Sequence, residues 1–143
     1  MHPLLAAQFA LACYLCGLVW VVQLAIYPLF ARIGRSEFTA YHAAYTRRIT
    51  WAVGPAMLAE LALAALMVIR APASPWAWTG AGLVVLVWLS TACVQVPLHS
   101  RLATRGPEPA LITRLVATNW LRTAAWTARA GLLAVQLRAA LMA

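Results

Sequence analysis

The stretch Leu4–Phe30, LLAAQFALACYLCGLVWVVQLAIYPLF, carries no charged side chain. As a helix rising about 1.5 Å per residue it reaches roughly 40 Å, more than the roughly 30 Å of bilayer hydrocarbon. It reads as a membrane span crossing with some tilt. No basic segment precedes it, and it far exceeds a signal-peptide core of about 7–15 residues, so an uncleaved first span is expected.

Three further segments follow the same logic. The polar stretch ARIGRSEFTAYHAAYTRRIT (residues 31–50) is expected to turn helical at Ser36, an N-cap with Glu37 in the first turn. It runs without a break signal into a second span, residues 51–69, which Pro55 should kink. A loop with interfacial tryptophans, RAPASPWAWTG, leads to a third span at about 78–98. After the turn signal RGPEP, a last helix starts near Pro109 and crosses at about 120–141, carrying Arg122 and Arg129 with it. The expected fold is all-α: one transmembrane domain over residues 1–143, an integral membrane four-helix bundle.

Composition agrees. Of 143 residues, 64 % are apolar and only 10 % charged, too few to wet a soluble globule, where roughly a quarter is usual. All the basic residues behind the formal charge of +8 are arginines, and they fall mainly between apolar runs rather than in one stripe, so no nucleic-acid partner is expected. Arg32, Arg35, Arg47 and Arg48 crowd the first loop and Arg101, Arg105 and Arg114 the third, against Arg70 in the second and Arg138 at the C-terminal end. By the positive-inside rule loops one and three are cytoplasmic and both termini lie outside, in a bacterial inner membrane. Val22–Gly34 (VQLAIYPLFARIG) also echoes Val94–Gly106 (VQVPLHSRLATRG), which would make two parallel hairpins related by a pseudo-twofold axis. Chance likeness between two apolar helix ends explains the echo equally well.

Polar side chains are costly in hydrocarbon, so their angular positions mark the face that meets protein. At about 100° per residue, Cys13, Cys16, Trp20, Gln23 and Tyr27 share an arc of the first span, and Trp88, Thr91, Gln95 and His99 one of the third. His42, Tyr45 and Glu60 align on the second helix, and Asn119, Arg122, Trp126 and Arg129 on the last. Glu60 and Arg129 fall near mid-membrane at similar height. An isolated charge there costs roughly 2.5–3.5 kcal/mol, so they are expected to pair. Nearer the cytoplasmic end, Gln23, Tyr27, Tyr41, His42, Tyr45, Gln95, His99, Asn119 and Arg122 form a polar vestibule, walled by Trp126. His42 and His99 lie on different helices and suit a haem iron or a single transition metal; no paired ligand motif accompanies them, so a site without any cofactor fits the pattern as well. Plain interfacial histidines are the competing reading. The cysteines carry no disulfide framework and read as packing groups.

The order of several short motifs resembles a known family. They are Tyr27-Pro28, Pro55 with Met57, Val96-Pro97-Leu98 followed by Arg101-Leu102, and Trp120 with Arg122-Thr123. Together they resemble the small four-span membrane proteins grouped with fungal anthrone oxygenases. His99 stands where that pattern has asparagine, and Tyr27 where it often has histidine. The resemblance implies oxygen-dependent oxidation of a hydrophobic polycyclic or quinol-like small molecule. In such an enzyme His42 and His99 would hold a metal or act as acid and base, Tyr27 and Asn119 would orient the substrate, and Arg122 would stabilise an anionic oxygen. Two other roles suit the same residues. One is a non-enzymatic accessory subunit of a larger membrane complex, or a homo-oligomer, packing through stretches such as LAELALAALM. The other is a proton or solute transporter gated by Glu60 and Arg129.

Overall fold

The computed structural model describes residues 2–142, which form helices and short turns with no strand among them. Four continuous helical rods follow the four apolar segments. The first consists of α1 (His2–Val21), a π turn (Val22–Ile26), α2 (Tyr27–Leu29) and a 3-10 turn (Phe30–Arg32). The second is α3 (Arg35–Arg70). The third joins α4 (Pro75–Ser90), a second π turn (Thr91–Gln95) and α5 (Val96–Arg105), and the fourth is α6 (Pro109–Met142). α1 packs on α3 and α6, and α4 packs on the same two, so the rods close into a ring of neighbours.

Three rods, Pro3–Arg32, Arg35–Arg70 and Pro75–Arg105, are long and apolar enough to cross a membrane. α6 is as long but is not among them, because Arg114, Arg122, Arg129 and Arg138 lower its hydropathy.

Helix ends differ from the sequence expectation in detail. Gly34, not Ser36, caps α3: its carbonyl accepts from the amides of Glu37 and Phe38. The third rod starts earlier than residue 78, at Pro75, because the Ser74 hydroxyl accepts from the Ala77 amide at 3.4 Å and proline suits the first helical turn. It ends at Gly106, whose φ of 79° and ψ of −164° lie in a region essentially reserved for glycine. Gly106→Ala is therefore expected to cost about 1–3 kcal/mol of stability, read from unfolding in detergent micelles.

Both π turns have one cause. Each stops two residues short of a proline, Pro28 or Pro97. A proline has no amide to offer the carbonyl four residues back, and its ring presses on that carbonyl. The helix answers by widening: the amides of Tyr27 and Val96 bond five residues back, to Val22 and Thr91. Pro55, in contrast, sits within an unbroken α3.

The interior holds polar side chains beside its apolar core, and large apolar side chains lie on the outside. Gln8, Gln23, His42, Glu60, Ser90, Gln95, Asn119, Arg122, Thr123 and Arg129 are buried, while Trp51, Leu24, Leu89, Val96 and Ile69 lie on the outside. Inside, apolar layers separate the polar ones. One is built on Phe30, Phe38, Leu102 and Leu115, a second on Leu15, Met57 and Trp126, and a third on Leu5, Ala12 and Leu133.

Candidate functional site

A cavity of about 430 Å³ lies between α1, α3, the third rod and α6. Its walls divide by chemistry. Leu15, Val19, Val53, Met57 and Trp126 form an apolar end, and Tyr27, His42, Tyr45, Gln95, His99 and Arg122 gather at the other. The exposed lining residues are Ala43 and Thr50 on α3 and Val96, Ser100 and Ala103 on the facing rod. The cavity thus opens on the flank of the protein, between those two rods.

At the polar end three side chains form a hydrogen-bonded chain. The Tyr27 hydroxyl lies 3.0 Å from His99 Nε2, and His99 Nδ1 lies 2.9 Å from His42 Nε2. Two donor orders satisfy both contacts. Either Tyr27 O–H donates to His99 and His99 Nδ1–H to His42, or His42 Nε2–H donates to His99 and His99 Nε2–H to Tyr27. The rings are held by aromatic neighbours. Phe38 stacks on His42 with centroids 5.4 Å apart, and Phe30 stands edge-on to His42 at 5.7 Å and to Tyr45 at 5.2 Å. Phe38 precedes His42 by one helical turn and was discoverable from that spacing; Phe30, at the end of an apolar run, gave no sign.

Of the two alternatives the sequence left open, a metal and no cofactor, this geometry does not fit the metal. His99 spends both ring nitrogens on Tyr27 and His42, and His42 Nε2 faces His99 rather than a shared open point. No group of three or more His, Cys, Asp or Glu side chains placed to hold a metal exists among the described residues. A haem or single-metal centre on this pair would require both rings to abandon these bonds.

A second chain runs behind the wall. Gln23 Nε2 donates to the Val116 carbonyl at 3.1 Å, Asn119 Nδ2 donates to Gln23 Oε1 at 2.8 Å, and Arg122 Nη1 donates to Asn119 Oδ1 at 3.2 Å. Gln23 and Asn119, expected in the pocket, are therefore not part of its lining; they act through Arg122 as positioning residues. Thr123 and Thr118, which the sequence did not single out, join these networks: the Thr123 hydroxyl donates to the Asn119 carbonyl at 3.1 Å and lies 3.5 Å from Gln23 Oε1, and Thr118 accepts from Gln95 Nε2 at 3.1 Å. Because the Thr118 hydroxyl also lies 2.7 Å from the Arg114 carbonyl, its proton points there and the Gln95 amide must face it nitrogen first. Gln95 Oε1 is left buried without a donor.

Glu60 and Arg129 meet elsewhere. Arg129 Nη2 and Nε both reach Glu60 Oε2, at 3.0 and 3.3 Å, and neither residue lines the cavity. The guanidinium lies against Gly80 of α4, where any Cβ would collide with it. Cys13 is exposed and Trp20 turns its indole N–H to Thr127 at 3.0 Å, and neither lines the cavity that Tyr27 reaches.

Comparison of the chain with protein-family models, with curated proteins and with solved structures gives no match in any of the three.

Proposed function

We propose that the protein is a four-helix bundle spanning a bacterial inner membrane, both termini outside the cytoplasm, which oxidises a hydroxyl-bearing aromatic lipophile of quinol type in its flank-opening cavity. The apolar exterior and three apolar rods support insertion: such a surface is solvated by acyl chains, and α6 crosses with Arg122 and Arg129 turned inward. The Arg35 guanidinium, 3.5 Å from the Arg105 carbonyl, ties the first and third turns to one end, the arginine-rich end assigned to the cytoplasm. The paired π turns, and the meeting of Tyr27 with its sequence counterpart His99, support a pseudo-twofold relation between the halves.

The observation that carries the activity is the Tyr27–His99–His42 chain set in the wall of an otherwise apolar cavity. A substrate hydroxyl gives its proton to the Tyr27 oxygen as Tyr27 passes its own to His99 Nε2 and His99 Nδ1–H passes on to His42 Nε2. Gln95 Oε1 accepts from a second substrate hydroxyl, and Trp126 offers a flat wall to the ring. The electron-rich oxyanion is oxidised by dioxygen. The quinol loses two electrons and two protons to become the quinone, dioxygen gains both to become hydrogen peroxide, and the chain returns its held proton to the peroxide. Of the exposed residues at the mouth, Val96 lies within the third span and Ala43, Thr50, Ser100 and Ala103 lie just beyond the spans, so a lipophile enters at the arginine-rich edge of the bilayer.

The test is oxygen uptake by the protein in lipid nanodiscs supplied with a short-chain naphthoquinol. Peroxide should appear one-for-one with quinone at a rate well above protein-free nanodiscs. Equal rates with and without protein would refute the activity.

A further inference from the structure

The chain has three acidic residues, and none serves Arg122. Glu60 is bound to Arg129, Glu108 faces Arg105 at 3.9 Å, and Glu37 is exposed at the start of α3. Arg122 is nonetheless 8 % exposed, one of its N–H groups goes to the neutral Asn119 oxygen, and its buried Nε has no partner among the described residues. A lysine in this position could shed its proton; a guanidinium does not. The charge therefore persists in a low-dielectric setting where an unpaired ion is strongly disfavoured, and the side chain that bears it lines the cavity.

The contrast with Arg129 is informative. Both arginines sit on α6 and both are buried, but the one remote from the cavity has its carboxylate built in, and the one on the cavity wall does not. Its backing is polar but uncharged: Gln23 and Asn119 hold the guanidinium in place without neutralising it.

We propose that the cavity binds its lipophilic ligand as an oxyanion already ionised before it arrives, the anionic oxygen seated on Arg122 and the apolar body lying toward Val19, Met57 and Trp126. The inference rests on the lipophile-binding cavity described above and adds a further group to what fills it, an oxyanion separate from the protonated hydroxyl that faces Tyr27. Two ligand sources share this chemistry: a long-chain carboxylate and an acidic hydroxyl on an aromatic ring. A carboxylate or acidic enol meeting the guanidinium in place of water gains charge-assisted, forked hydrogen bonds that a neutral isostere cannot form.

Binding is measured in lipid nanodiscs, corrected for partition into protein-free nanodiscs, with four probes: an alkylated 2-hydroxy-1,4-naphthoquinone, its methyl ether, myristate and myristyl alcohol. The acidic member of at least one pair should bind about thirtyfold or more tightly than its neutral partner, and Arg122→Gln should abolish that preference. Preference for myristate alone supports the oxyanion seat while removing the aromatic substrate of the proposed activity; preference for the hydroxynaphthoquinone supports both. Neutral probes binding as well as acidic ones, no probe binding at all, or a preference unchanged in Arg122→Gln would overturn the proposal. Should that variant fail to fold, the two ligand pairs on the unaltered protein decide the matter without it.

Discussion

Glu60→Ala is expected to lower unfolding stability by about 3–5 kcal/mol, among the largest losses available to a single side chain here. Glu60 is 0 % exposed and Arg129 3 %, and the carboxylate is the one charged partner of that guanidinium among the described residues. The guanidinium lies inside the bundle, between Glu60 and Gly80 of α4. Truncating Glu60 leaves a buried cation with its desolvation cost uncompensated. Replacing both partners, as in Glu60→Leu with Arg129→Met, removes that penalty and should recover most of the stability. Gly80→Ala supplies an independent check. Its new Cβ would collide with the guanidinium, so it should destabilise the natural protein and be tolerated once Arg129 is methionine. Equilibrium unfolding in mixed micelles reads all four variants; a Glu60→Ala loss below about 0.5 kcal/mol would show that the pair contributes nothing.

That the polar side chains point inward was legible before any coordinates, because lipid makes their outward exposure expensive. Gln23, His42, Glu60, Gln95, Asn119, Arg122 and Arg129 all lie within the structure's interior. What the sequence could not supply was their phase beyond a π turn. Counting 100° per residue assumes an α-helix, but the widened turns at Val22–Ile26 and Thr91–Gln95 each accommodate part of an extra residue. Tyr27 therefore swings away from the direction of Cys13 and Trp20, which a straight helix would have placed beside it. The prolines that cause the widening are visible in the sequence; whether a helix answers a proline by widening or by continuing unbroken, as at Pro55, depends on tertiary neighbours. For the same reason the division between wall and backing was hidden. Gln23 and Asn119 share a face with the cavity residues but are spent on one another, a choice made by rotamers rather than by spacing. The state of the two histidines was hidden at this level too: on different helices they suit a metal or no cofactor equally, and the structure shows their nitrogens 2.9 Å apart.

His99→Phe should slow quinol oxidation by about 100- to 10,000-fold, the range associated with losing a positioned acid–base group. Phenylalanine matches the ring in size and finds Tyr27, Phe30 and Tyr45 already around it, with centroids at 5.4, 6.4 and 6.2 Å from the present imidazole. The fold should survive, at a cost of about 1–3 kcal/mol for the stranded Tyr27 hydroxyl and His42 nitrogen. The rate loss is then far greater than a modest destabilisation could produce, and unfolding measurements on the same preparation separate the two. His42→Phe tests the far end. If protons travel through Tyr27, His99 and His42 in series, either substitution breaks the same path, and the double variant should be no slower than the worse single one. Losses that multiply would mean that the two histidines act separately, each on its own proton, and the series arrangement would be wrong even though the rings touch. Tyr27→Phe closes the argument from the cavity side: it keeps both histidines and their 2.9 Å contact but removes the hydroxyl through which the substrate reaches them, so its rate should fall to the same floor.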